Sequence, residues 1–237
     1  MNSVSTKRSN KAFGFKTEKV NMPFEVKDCA LISRMAGLDT AINFRELRER
    51  VKVSSIECLF HHFCETAIRP SFDDPEFHND FAIWSARDLS DRVLAERLGI
   101  INPYNFENLE EVRQLVVDTL DERLAELPDI PRVKKGNDFR FMRAVTVVFD
   151  TKVKIEKPDE LIDAITNMNL SSLYYHYVEA RRRTKERTDD FTVWIKGFGK
   201  GCESLLNALA EIDFYFMSLS ELRQHIIKSL IAAGKKV

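Results

Sequence analysis

Cys58-Leu59-Phe60-His61-His62-Phe63-Cys64-Glu65-Thr66-Ala67-Ile68-Arg69 decides how this chain reads, because the chain states it twice. Ser172-Leu173-Tyr174-Tyr175-His176-Tyr177-Val178-Glu179-Ala180-Arg181-Arg182-Arg183 aligns with it without a gap, 114 positions later. Leu59, His62, Glu65 and Arg69 meet identical residues, and Phe60 and Phe63 meet tyrosines. Upstream the offset holds: Glu46-Leu47 matches Glu160-Leu161, and Val51 matches Ile165. Downstream it falls to 110. Asp80-Phe81 and Trp84 match Asp190-Phe191 and Trp194, and Leu109, Glu111 and Gln114 match Leu219, Glu221 and Gln224. The change of four falls between the His segment and the Trp segment, where a surface loop absorbs it.

Self-similarity over two copies predicts a duplicated fold rather than a solenoid. The copies are read as residues 22–127 and 139–237, joined by a linker at 128–138 and preceded by a basic arm at 1–21 that has too few apolar residues to fold. The expected architecture is α+β, mainly α: two similar halves about a pseudo-twofold, packed as one globular unit, each a short β segment followed by about four helices.

The periodicities supply those elements. Residues 24–32 alternate weakly, and the β-branched run at 144–149 is the strongest strand signal in the chain. The two β segments could pair with each other. Asn43 caps a short helix, and Pro158 takes the first turn of its twin. Ser54-Ser55-Ile56-Glu57 reads as a capping box with Ser54 as the cap. Ser171 or Ser172 caps the second His helix, which therefore starts about one turn later. Ile56, Leu59, Phe60, Phe63 and Ala67 form an apolar stripe. This leaves His62, Glu65 and Arg69, and in copy two His176, Glu179 and Arg183, as a polar ladder facing away from the core. Asp80 and Asp190 open the Trp helices, the first running to about residue 98 with Gly99 as its stop. Asn108 with Glu111 and Ser218 with Glu221 are capping boxes for the last helix of each copy.

Composition excludes several classes. The chain has 237 residues, 44% of them hydrophobic, which is enough for a real core. A net charge of −1 gives no overall pull toward nucleic acid or anionic membrane, so neither is an expected partner. No apolar run approaches the roughly 20 residues of a membrane span, and no signal-peptide segment opens the chain. Four cysteines without CxxC spacing fit a reduced, cytoplasmic protein.

Five constellations are candidates for chemistry. His62 with Glu65 and His176 with Glu179 are HxxE pairs whose members are helical neighbours. Two such helices could hold a metal through His62, Glu65, His176 and Glu179. Carboxylate-bridged di-metal bundles, however, use Glu-x-x-His and two further glutamates. Arg181-Arg182-Arg183 could clamp an anion, with Arg182 and Arg183 joining the ladder residues as a ligand-binding set; charge runs are more often solvated faces. Residues 197–201 only loosely resemble a phosphate cradle and read as a helix break. Trp84 and Trp194 could stack a ligand but sit at core spacing. Cys64 has no base placed to activate it. No catalytic residue and no cofactor are therefore expected.

The Leu-x-His-His-Phe and Leu-Tyr-Tyr-His-Tyr motifs, the Asp-Phe-x-x-Trp motif and the Asn-Pro-Tyr-x-Phe loop together resemble an uncharacterised prokaryotic family, a domain of unknown function. The resemblance covers nearly all of the chain after the basic arm. It implies a bacterial or archaeal cytoplasmic protein, with no activity, cofactor or catalytic residue to carry over. The expected function is a non-catalytic binding or accessory module. A groove between the halves would take a protein segment or an anionic small molecule, and a homodimer is possible. The alternatives are a metal-dependent enzyme using the HxxE pairs and a sensor of a phosphorylated metabolite.

Overall fold

The computed structural model describes residues 22–69, 76–199 and 201–234. The basic arm, Lys200 and the last three residues lie outside them, as do six residues of the loop after Arg69.

The two β segments pair. β1 (Phe24–Met35) and β2 (Met142–Ile155) form an antiparallel ribbon with Phe24 opposite Ile155 and Met35 opposite Met142, bulged between Glu25 and Lys27. Helices make up most of the rest, so the fold is α+β and mainly α.

Side-chain caps set most helix starts. Asn43 accepts from Glu46 N–H and opens α1 (Phe44–Val53). Ser55, not Ser54, opens α2 (Ile56–Cys64), because the Ser54 hydroxyl donates backwards to Val51 O. A 3-10 turn, Glu65–Ile68, follows. The expected single helix at 80–98 is two, α3 (Asp80–Arg87) and α4 (Arg92–Gly99). Ser90 takes a left-handed φ of 58° between them, and Asp91 caps the new start. Asn108 caps α5 (Leu109–Glu126) through Glu110 and Glu111 N–H.

After β2 come α6 (Leu161–Asn167) and α7 (Leu170–Leu173). The chain then winds as a π-helix over Tyr174–Glu179 and ends this rod as α8 (Ala180–Arg183). The rod begins at Leu170, the position aligned with Ile56, so the later start expected from Ser171 and Ser172 is corrected. Neither serine caps it; Asn169 precedes it and bonds Asp28 instead. α9 (Asp190–Lys196), α10 (Glu203–Ala210) and α11 (Leu219–Gly234) complete the chain.

Two hydrophobic clusters result, and the ribbon crosses between them. The first is built on α1 to α5 together with Phe139 and Phe141. The second is built on α6 to α11 together with Phe24, Val26, Cys29 and Ile155. Each strand thus starts in one cluster and ends in the other. Phe139 lies between His62 (4.9 Å), Phe81 (5.1 Å) and Trp84 (5.5 Å). Phe24 lies between His176 (4.8 Å), Phe191 (5.3 Å) and Trp194 (5.6 Å). Trp84 Nε1 donates to Asn137 O and Trp194 Nε1 to Met22 O, each two residues before the phenylalanine. Burying one such ring is worth about 1.5–3 kcal/mol. Both tryptophans are therefore spent on packing a strand entry rather than on stacking a ligand.

Candidate functional site

α2 does not present a polar face to solvent. Cys58 through Cys64 are all buried, with His62 2% exposed, and Glu65 just beyond is 3% exposed. The exposed-ladder expectation is corrected because α2 packs against α5 and α3 and is also crossed by β2, which needs a polar side chain there. His62 Nδ1 lies 2.6 Å from Asp80 Oδ2, and His62 Nε2 accepts Met142 N–H at 3.0 Å. A backbone N–H can only donate, so the proton of this imidazole sits on Nδ1 and goes to Asp80. Arg69 donates to the same carboxylate oxygen at 2.7 Å. Burial pushes the His62 pKa below its ordinary value despite Asp80. Burial alone would raise Asp80, but the hydrogen bonds from His62 and Arg69 and the Arg69 charge outweigh it and hold the carboxyl below the usual value.

The same bonds recur at His176. Its Nδ1 lies 2.8 Å from Asp190 Oδ2, its Nε2 accepts Lys27 N–H at 2.8 Å, and Arg183 donates to Asp190 at 2.9 Å. Asn79 and Asp189 make this possible: they cap α3 and α9 by accepting from Ala82 and Thr192 N–H. Asp80 and Asp190, expected as caps, are thereby released for the histidines. That both aspartates align in the two copies was the available sequence signal.

The glutamates go elsewhere. Glu65 pairs with His61 Nδ1 at 2.5 Å, and Glu179 takes Arg182 at 2.6 Å and also Arg183. Within each HxxE motif the two members have different partners. The two histidines also hold opposite ends of the ribbon. Lys27 pairs with Asp150, eight residues along β2 from Met142, a separation of about 26 Å at roughly 3.3 Å per residue. The four-ligand centre of His62, Glu65, His176 and Glu179 is therefore not formed. The geometry does bring His61, His62 and Asp80 together, with donor atoms within 4.8 Å of one another. Both nitrogens of His62 are spent and Arg69 already supplies the positive charge on Asp80, so the group is built as a hydrogen-bond relay.

The arginine run is likewise committed. Arg181 stacks on Tyr177 (4.5 Å) and Phe214 (4.6 Å) and pairs with Asp189; Arg182 reaches over Phe60 (5.1 Å); Arg183 lies over Tyr175 (4.1 Å). Burial pushes the Cys29, Cys58 and Cys64 thiols up to about 12, which leaves them unreactive.

A cleft of about 990 Å³ lies open where the two clusters meet. Thr66, Arg69, His78 and Asp80 line one side; Ser171, Tyr215, Phe216 and Glu221 line the other. His78 rests edge-on against Phe216 at 5.6 Å, and burial lowers its pKa. Thr66 donates to His78 O at 2.7 Å within one wall, and Tyr215 donates to Phe63 O at 3.2 Å, fixing the two walls to each other. Phe216 stays 42% exposed. Of the residues expected from the sequence to bind a ligand, only Arg69 lines this cleft. His78 carries no motif, and Phe216 reads only as part of the aromatic loop that precedes the last helix.

A family model described as a family of unknown function, DUF5752, matches residues 21–231. The chain belongs to DUF5752. No curated protein matches this member of DUF5752. Its fold is similar to a solved structure described as that of OrfY from Thermoproteus tenax, with a TM-score of 0.76 and 26% identity over 91% of this chain and 97% of that one. Among the described residues, no helix of this DUF5752 chain is long and apolar enough to cross a membrane.

Proposed function

We propose that this DUF5752 protein is a non-catalytic binding module whose cleft receives a segment of another protein. The observation that carries this reading is the cleft itself. It is open, lined by both clusters, and mixes exposed aromatic surface with charges of both signs. Such a lining suits a peptide, which brings apolar side chains and backbone polar groups together. The two aligned histidines, His62 and His176, and their aspartates, Asp80 and Asp190, are already bonded to one another and to the ribbon. An anion site is less well supported, since the arginines it would use are paired and stacked.

The finer architecture belongs to the same proposal. The paired Asp–His–strand and Phe–Trp arrangements support reading the chain as two duplicated halves about a pseudo-twofold, with residues 22–127 and 139–237 as the copies. All four cysteines are free, which supports a reducing, cytoplasmic setting.

The test is selection of displayed random peptides on the full chain and on a Phe216→Glu variant. The expected result is an enriched consensus on the native protein that the variant, with an unchanged melting temperature, does not hold. No enrichment overturns the reading. Stabilisation by inorganic phosphate that vanishes in Arg69→Ala would replace it with the anion site.

A further inference from the structure

The middle of the ribbon lies between the two histidine anchors, and there the β2 edge has no strand partner. Successive amides in a strand point to opposite edges. His62 takes Met142 N–H, so the amides of Ala144, Thr146 and Val148 face the same outer edge. Among the described residues the sheet has two strands only, and no strand covers that edge. The run Ala144-Val145-Thr146-Val147-Val148-Phe149 has the composition of a strand that pairs readily, yet Val145, Val148 and Phe149 are 49%, 43% and 51% exposed. An exposed edge of this kind is a template for another strand.

The outer face says which strand. Register places Ala30 beside Val147 and Ile32 beside Val145 in its centre. At one end Arg34 sits beside Arg143, and at the other Asp28 sits beside Phe149. Like charges side by side across strands destabilise a ribbon, and Arg143 Nε is buried with no hydrogen-bond partner. A twofold axis reverses the ribbon, so a second copy answers this arrangement from its own other end. We propose that β2 pairs antiparallel with β2 of a second copy of this chain, Thr146 opposite the partner's Thr146, to form a four-stranded sheet. This register is allowed because residues 144, 146 and 148 all present their amides to the shared edge. Ala144 then meets the partner's Val148, and Val145 meets the partner's Val147. Across the outer face Arg34 and Arg143 run on into the partner's Phe149 and the partner's Asp28, giving a cation over an aromatic face with a carboxylate behind it. The apolar centre becomes four strands wide, and the threonines at the axis can bond each other. This interface is separate from the cleft, so either reading can fail alone.

The experiment is sedimentation of the full chain at micromolar concentration, with oxidative cross-linking of Thr146→Cys in a Cys202→Ser background. Cα atoms of a directly opposed hydrogen-bonded pair lie about 5.5 Å apart, within disulfide range. Ser33→Cys on β1 is the control, because the two β1 strands would be three strand spacings, about 14 Å, apart. The expected result is a mass twice 27.5 kDa, a covalent dimer from Thr146→Cys alone, and a monomer from Val145→Lys that keeps its helical content and unfolds cooperatively at a temperature independent of concentration. A monomeric native chain overturns the proposal. So does a dimer that Thr146→Cys cross-links no faster than Ser33→Cys.

Discussion

His62 shows how one side chain can be both sequence signal and structural anchor. It is neutral because Nε2 must accept Met142 N–H, and burial favours the neutral form. In the unfolded chain the same imidazole takes its proton near pH 6.5. Below that pH the unfolded state therefore binds more protons, and stability falls as pH drops from about 6.5 toward the lowered folded value. Above pH 6.5 this contribution is fully present. Urea midpoints between about pH 5 and pH 8 should show that acid slope, and His62→Ala should reduce it; His78, whose pKa burial also lowers, keeps part of it. At neutral pH His62→Ala should cost about 1–3 kcal/mol by leaving Met142 N–H and Asp80 without their partner. An undiminished slope in the variant would remove His62 from this role.

Among the elements, α4 shows why local rules stop short. Gly99 reads as a left-handed helix stop, but it is the last residue of α4 and is not among the residues with positive φ. It is glycine for space: a Cβ there would stand 2.7 Å from the Phe77 ring. Gly99→Ala should therefore destabilise by about 1–3 kcal/mol through overpacking, where propensity alone predicts a gain of up to about 1 kcal/mol. Denaturant unfolding separates the two signs, and a stabilised variant would show that Phe77 gives way freely. The capping boxes at Asn108 and Ser218 were legible because the cap and the N–H that donates to it lie three residues apart in sequence. The break between α3 and α4 was not, since nothing near Ser90 forbids a helix.

At the scale of the molecule, the exchanged strand entries couple the two clusters. Phe139 completes the core of α1 to α5, and Phe24 completes that of α6 to α11. Neither cluster can lose its strand without exposing the ribbon that the other uses. Calorimetry should show one unfolding transition, and Phe24→Ala and Phe139→Ala should each lower it as a whole, by about 3–5 kcal/mol. Two separated transitions, each moved by one variant only, would show independent units.

The sequence by itself determined the element types, the caps at Asn43, Asn108 and Ser218, the mainly helical class, and which histidines, aspartates and tryptophans recur as a set. These depend on periodicity and on contacts a few residues apart, and both are written along the chain. Only the tertiary structure decided that the ladder is buried, that Asp80 rather than Glu65 is the partner of His62, and that each histidine holds a strand 80 or 149 residues away. Those outcomes depend on which element crosses α2 and the rod after Leu170. A backbone N–H that arrives from so far off leaves no mark on the residues beside the histidine that receives it.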